Sequence, residues 1–109
     1  MFIDFEKIDT EKFKNFKGGE KEASVKMFSD GKNKILKLWL LPGASIGMHT
    51  HVTSSEIIYI LEGKGKMLTK DGEEILNAGD CHYLPKGESH SLLNIGDSDL
   101  VIFAVVPEQ

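Results

Sequence analysis

The chain has 109 residues, 40% of them hydrophobic and 28% charged, which is enough for one domain with one core and too little for two. Its 13 basic and 17 acidic residues give a net charge of −4, and no basic stripe predicts a nucleic-acid surface. The longest apolar run, Leu100 to Val106, is far shorter than the ~20 residues that span a bilayer, so no membrane partner is expected.

The ends and the cysteine content predict a cytoplasmic location. The N-terminus is acidic and aromatic rather than basic and then apolar, so we expect no secretory signal. The single cysteine, Cys81, excludes an internal disulfide and fits a reducing compartment. All 13 basic residues are Lys, so any substrate site must work without the guanidinium fork that grips carboxylates and phosphates.

Residues 1–23 are predicted to form an N-terminal arm that precedes a β-barrel domain over residues 24–109. Apolar residues spaced by three predict either an arm with an apolar side or one or two short helical turns, capped by Asp9 or Thr10. Gly18-Gly19 ends this stretch.

From Ser24 onward, short apolar or alternating runs are separated by Gly, Pro, Asn and Asp about every 8–12 residues, which is typical of an all-β sandwich or barrel. The predicted strands are Ser24–Ser29, Lys34–Leu41, Glu56–Leu61, Lys64–Thr69, Glu74–Leu76, Cys81–Leu84, Ser89–Asn94 and Leu100–Val106.

Two of these strands indicate that the barrel has a covered outer face. Lys34–Leu41 places three leucines on one side, yet its other side also carries Trp39, and Leu100–Val106 is apolar on both sides. Strands buried on both faces read as continuous hydrophobic runs. Either the N-terminal arm or a second subunit covers the outer face, and we favour a homodimer with Trp39 at the interface.

Three histidines and one glutamate stand out as candidate metal ligands. His49 and His51 leave one face of a strand together, Glu56 opens the next predicted strand, and His90 follows a Pro-Lys-Gly turn. Neutral imidazole is the commonest ligand for transition metals. Each signal alone also fits a surface or hydrogen-bonded side chain, so the residues by themselves leave the assignment open.

The spacing around these residues resembles the two motifs of the small single-domain cupins. The first block runs from Gly43 through five residues to His49-x-His51, four residues to Glu56 and six residues to Gly63. The second block runs from Gly79 through five residues to Pro85-x-Gly87, two residues to His90 and three to Asn94. Together the motifs span about half of the chain.

The resemblance implies an all-β fold, a single jelly-roll barrel, with one divalent transition metal (Mn, Fe, Ni, Co, Cu or Zn) held by His49, His51, Glu56 and His90. It also implies that Glu56 could take a proton from substrate. We therefore expect a metal-dependent enzyme, an oxygenase (dioxygenase-like) or an isomerase/lyase, acting on a small oxygenated molecule. The alternative is a cupin that binds or senses a small ligand without turnover.

The remaining polar and sulfur-containing residues are expected to be structural. Asn94 is predicted to form a turn, Cys81 to be a small buried residue, and Met48 and Met67 to fill the core. His82 could face either side of its strand. The alternation in the Glu56 strand puts Ile58 and Ile60 beside Glu56 and Tyr59 on the opposite face, and Thr53, which continues the alternation of His49 and His51, is expected to line the mouth.

Overall fold

The computed structural model describes all 109 residues and contains ten β-strands. In chain order they are β1 (Glu11–Lys14), β2 (Glu22–Ser29), β3 (Asn33–Leu40), β4 (Ser45–Thr50), β5 (Glu56–Glu62), β6 (Lys64–Thr69), β7 (Gly72–Asn77), β8 (Cys81–Leu84), β9 (Ser89–Asn94) and β10 (Leu100–Pro107). All predicted strands are present. The structure adds β1 and a separate strand β4.

Two antiparallel sheets pack face to face, which confirms the predicted all-β jelly roll. One sheet has the order β1-β2-β3-β10-β5-β8 and the other β4-β9-β6-β7. Hydrogen bonds do not join the two sheets into a continuous closed barrel. The strands β7 and β8, which follow one another in the chain, therefore lie at the free edges of different sheets.

Period-two alternation places the core between the sheets. Leu36, Leu38 and Leu40 on β3 are 8%, 2% and 0% exposed, as the sequence predicts. They lie beside Ile102 and other apolar residues of β10, the neighbouring strand of the same sheet, whose register pairs Ile102 with Leu38. Each fully buried side chain of this size stabilises the fold by about 1.5–3 kcal/mol.

The N-terminal segment contains two single 3-10 turns, Phe5–Lys7 and Phe16–Gly18, on either side of β1. Asp4, not Asp9 or Thr10, caps the first turn by accepting a hydrogen bond from the Glu6 backbone N–H. The ring of Phe5 packs edge-on against Phe103 on the outer face of β10, with centroids 6.4 Å apart. The first turn thus covers part of the outer face of the larger sheet, whereas Phe13 and Phe16 of the same segment pack against the core.

A β-bulge in β4 decides which way the first candidate ligand points. Ile46 pairs with Leu92 and His49 pairs with His90, so β4 contains one more residue than its partner over this interval. Without the extra residue, Ile46 and His49 would point to opposite faces, whereas the bulge directs both inward. Gly47 lies in the bulge, where a Cβ would overlap the carbonyl oxygen of Lys17 in the second 3-10 turn.

Two of the expected core residues are instead on the surface. Cys81 is exposed, because the pairing of Ile58 with His82 turns His82 inward and Cys81 outward. Met48 is 54% exposed on the outer side of the bulge, while Met67 is fully buried as expected. No helix in the structure is long and apolar enough to span a membrane.

Candidate metal centre

The four candidate ligands meet at one end of the space between the sheets, although they come from distant parts of the chain. His49 projects from β4, His51 follows that strand directly, Glu56 opens β5, and His90 lies on β9. His49 and His90 are register partners in one sheet, and Glu56 reaches them from the facing sheet. One donor atom from each residue lies within 4.8 Å of all the others.

The donor atoms form a close ring. His49 Nε2 lies 3.1 Å from His51 Nε2 and 3.2 Å from His90 Nε2. Glu56 Oε1 lies 3.1 Å from His51 Nε2 and 2.8 Å from His90 Nε2. The three imidazoles therefore present their Nε2 atoms to one another and to a single carboxylate oxygen.

Backbone contacts fix the tautomer of His49. Its Nδ1 lies 2.8 Å from the carbonyl oxygen of Gly47, which can only accept a hydrogen bond, so the ring proton sits on Nδ1. Burial lowers the pKa of His49 below its usual 6.5 and keeps the ring neutral. The unprotonated Nε2 then directs a lone pair at the other donors.

Glu56 is ionised in this setting. Its burial would raise the pKa of the carboxyl group, but hydrogen bonds from His51 and His90 outweigh that effect and lower the pKa to about 2. The contacts of Glu56 with both imidazoles involve its Oε1. This oxygen is thus committed to the ring of donors.

These residues fit a divalent transition metal. Adjacent ligands of an octahedral ion with bonds of ~2.1 Å lie ~3 Å apart, which matches the four measured separations of 2.8–3.2 Å. Without a cation, Nε2–H groups of His51 and His90 hold these contacts as hydrogen bonds to Glu56, and a bound cation would replace those protons. Imidazole and carboxylate without thiolate suit Mn, Fe, Co, Ni, Cu or Zn.

A cavity of about 530 Å³ opens beside the centre and includes all four candidate ligands in its wall. The rest of the wall mixes apolar and polar residues, and its exposed charged side chains are Lys17, Lys32, Lys34 and Glu108. Thr53 also lines the cavity, as the alternation predicts. Apolar wall residues include Phe13, Phe16, Leu36, Leu38, Ile58 and Ile102.

The other singled-out residues have structural positions. Asn94 is buried, and its amide donates to the carbonyl oxygens of Leu40 and Ser98 while accepting from the Gly96 N–H. This agrees with the predicted turn role. Tyr59 faces away from the centre, and Ile58 and Ile60 are buried on the Glu56 side.

Sequence reasoning missed two features around the centre. His82, left open by the sequence, is 6% exposed and lies behind His90, with Nε2 of His82 3.5 Å from Nδ1 of His90. Glu74 lies 2.8 Å from Nδ1 of His82. The three lysines of the cavity wall also carried no signal, since nothing in their spacing distinguishes them from ordinary surface lysines.

Comparison with protein families shows that residues 38–106 match the sequence model of a family described as cupin domain. The oxalate-binding protein of Thermotoga maritima is 33% identical over 112 residues, an alignment that covers 97% of this chain and 93% of the relative. This match includes the N-terminal segment as well as the strands that carry the candidate ligands.

Comparison with solved structures also gives cupin-fold proteins. A Thermotoga maritima protein described as a predicted oxalate decarboxylase has a TM-score of 0.93 at 31% identity, with all of both chains covered. A cupin-superfamily sugar phosphate isomerase of Silicibacter pomeroyi has a TM-score of 0.80 at 21% identity, covering 100% of this chain and 76% of the other. The second likeness shows the shared fold alone.

Proposed function

The chain belongs to the cupin family, and from that membership and the geometry of the centre we propose that it is a metal-dependent protein acting on a small oxygenated compound. One divalent transition metal is held by His49, His51, Glu56 and His90. The observation that supports this most strongly is the convergence of three imidazole Nε2 atoms and one ionised carboxylate within 4.8 Å of one another.

A metal at this centre would supply Lewis acidity and two open positions for oxygen atoms of a ligand or for dioxygen. Three neutral imidazoles and one carboxylate leave a divalent ion with a single net positive charge. That charge, together with Lys17, Lys32 and Lys34 in the cavity wall, which outnumber the one exposed carboxylate there, Glu108, favours a ligand with adjacent, partly anionic oxygens.

The chain's own residues would bind and orient such a ligand. The apolar part of the wall would contact the carbon skeleton of the ligand, and the lysines of the wall attract anionic oxygens as point charges, since the chain has no Arg. Glu56 is the proposed catalytic residue. Its second carboxylate oxygen would take a proton from the bound compound while Oε1 stays with the imidazoles.

The proposed reaction class is an oxygenase, dioxygenase-like, or an isomerase/lyase. We would load the protein with Mn, Fe, Co, Ni, Cu or Zn in turn, and then measure dioxygen consumption and aldose–ketose interconversion with small hydroxycarbonyl compounds. Turnover that needs the metal and disappears in Glu56→Gln supports catalysis. Thr53→Ala, which alters the wall but no donor, serves as the control.

Binding without turnover is a second candidate, favoured by the relative named an oxalate-binding protein. Oxalate offers the two adjacent oxygens that the centre would accept. Titration calorimetry with oxalate would show metal-dependent binding in either case. Binding with no turnover across both screens would favour this second candidate, and no metal-dependent binding of any such compound would contradict both.

We further propose that two copies associate through the outer face of β3, β10, β5 and β8. Phe5 covers Phe103, but four large side chains remain exposed on this face: Ile57 at 41%, Tyr59 at 43%, Leu61 at 40% and Tyr83 at 56%. Their register makes them neighbours, because Ile57 pairs with Tyr83 and Phe103 pairs with Tyr59. A contiguous apolar face of this kind is typical of subunit interfaces.

Sedimentation equilibrium tests the dimer. Wild type should sediment as a homodimer, and Tyr83→Glu should be a monomer with unchanged circular dichroism. Trp39→Glu, on the same face, should be monomeric or insoluble. A wild-type monomer, or a Tyr83→Glu variant that stays dimeric, would contradict this assignment. A cytoplasmic location is proposed from the single exposed cysteine, which is compatible with a reducing compartment.

A further inference from the structure

A buried histidine that none of the proposed chemistry uses lies directly behind the metal centre. His82 projects inward from β8, where it pairs with Ile58, and is 6% exposed. Its ring stacks near that of His90, with centroids 5.6 Å apart and planes at 27°. Its Nε2 faces His90 Nδ1, the nitrogen that points away from the other candidate ligands, at 3.5 Å.

The far side of His82 is held by a carboxylate. Glu74 Oε1 lies 2.8 Å from His82 Nδ1, and the Glu74 side chain is 53% exposed. Both residues line a cleft of about 270 Å³ that shares no lining residue with the cavity of the metal centre. A continuous row of contacts therefore runs from solvent through Glu74 and His82 to His90, on a different side from the ligand cavity.

The hydrogen-bonding capacities of these groups allow only one arrangement once His90 is a metal ligand. An ionised carboxylate can only accept, so His82 must donate its Nδ1–H to Glu74. A neutral His82 then has a lone pair on Nε2, which can only accept from His90 Nδ1–H. His90 in turn is left with an unprotonated Nε2, 2.8 Å from Glu56 Oε1 in the ring of donors.

We propose that Glu74 and His82 are positioning residues that fix the tautomer and ring orientation of His90 for metal binding. This inference rests on the proposed metal site. Hydrogen bonds to the outer nitrogen of a metal-bound imidazole typically change metal affinity by about 10–100-fold. Here the effect passes through a second imidazole, His82, which lies on the larger sheet, whereas His90 and Glu74 both lie on the smaller sheet.

The competing interpretation is a purely structural tie. Glu74 lies on β7, an edge strand of the smaller sheet, and His82 on β8, an edge strand of the larger sheet. Their hydrogen bond therefore joins the two free edges. A purely structural tie would contribute to stability but would leave the affinity for metal unaffected.

Metal affinity separates the two interpretations. We would measure the Zn²⁺ dissociation constant by chelator competition for wild type, Glu74→Gln, His82→Leu and His82→Gln, with thermal unfolding of each metal-free protein. His82→Leu should bind Zn²⁺ about 10–100-fold more weakly. His82→Gln should recover much of the affinity, because its amide can accept from His90 and donate to Glu74.

Glu73 supplies a matched control on the same strand. It points to the opposite face of β7 and lies 3.6 Å from Lys66, away from His82. Glu73→Gln removes the same charge as Glu74→Gln and should leave Zn²⁺ affinity unchanged, whereas Glu74→Gln should weaken it about 10-fold. Since Glu74 is half exposed, Glu74→Gln is expected to fold even where His82→Leu does not.

A spectroscopic readout tests the arrangement directly. In the Zn²⁺-loaded wild type, long-range ¹H–¹⁵N spectra should show His82 with its proton on Nδ1, and His90 likewise. His82 with its proton on Nε2, or equal Zn²⁺ affinities for Glu74→Gln and Glu73→Gln, would overturn the inference. A wild-type protein that binds no Zn²⁺ or other divalent metal would instead overturn the proposed function.

Discussion

Ser91→Ala tests how the bulge in β4 supports the metal centre. The Ser91 hydroxyl donates a hydrogen bond of 2.6 Å to the carbonyl oxygen of Ile46, at the point where the β4–β9 register shifts. Ser91 is 6% exposed, so water does not readily replace the missing donor. The substitution removes one oxygen atom and leaves the strand sequence otherwise intact.

The expected cost follows from burial. Removing one partner of a buried hydrogen bond costs about 1–3 kcal/mol, because the other partner loses its compensation. For a domain of this size each kcal/mol lowers the melting temperature by ~4–8 °C. Because the bulge turns His49 inward, metal affinity should fall together with stability.

Ser89→Ala is the matched control, two residues earlier on the same strand. Its hydroxyl lies 2.6 Å from that of Thr50 in an exposed pair, so the loss should be within ~0.5 kcal/mol. Urea unfolding of the metal-free proteins measures the free energies, and chelator competition measures metal affinity. Equal stabilities for Ser91→Ala and Ser89→Ala would refute the role assigned to the Ser91–Ile46 hydrogen bond.

Three further substitutions test the packing and the electrostatics. Asn94→Ala removes three hydrogen bonds from a buried amide and should cost about 2–4 kcal/mol in urea unfolding; a cost below ~0.5 kcal/mol would show that the turn holds without it. Leu38→Ala, at 2% exposure, should cost about 2–5 kcal/mol by the same measurement, and a near-neutral result would contradict the assigned core. The third substitution is Asp30→Ala. Hydrogen bonds from the Lys32 and Asn33 N–H groups hold the pKa of the Asp30 carboxyl below 3.8 in the folded protein. Asp30 therefore contributes to the free energy of unfolding at pH 7, and this contribution is lost as the pH falls through the folded-state pKa. The difference in melting temperature from wild type should therefore be larger at pH 7 than at pH 3, and an equal difference would contradict this reasoning.

Alternation made most of the fold predictable from the sequence. The burial of Leu36, Leu38 and Leu40 follows directly from a period of two, and so does the outward position of Tyr59. The two motif blocks predicted the candidate site. They indicated which four side chains would meet, although His90 lies far along the chain from His49.

What the sequence could not show depends on register and on contacts between sheets. The bulge adds one residue to β4, and no feature of the sequence around Ile46–His49 predicted it. Within the single chain Cys81 is exposed because it lies on the outer face of an edge strand, which overrides the usual burial of a small thiol. Glu74 approaches His82 only because β7 and β8 lie at the edges of different sheets.

Elemental analysis of protein purified without chelators tests the metal centre most directly. We expect about one divalent transition metal per chain in wild type and in Thr53→Ala, and a large loss in His51→Ala, since its Nε2 lies 3.1 Å from donors on both His49 and Glu56. A wild-type protein without metal, or full occupancy in His51→Ala, would contradict the proposal that these four side chains form a metal site.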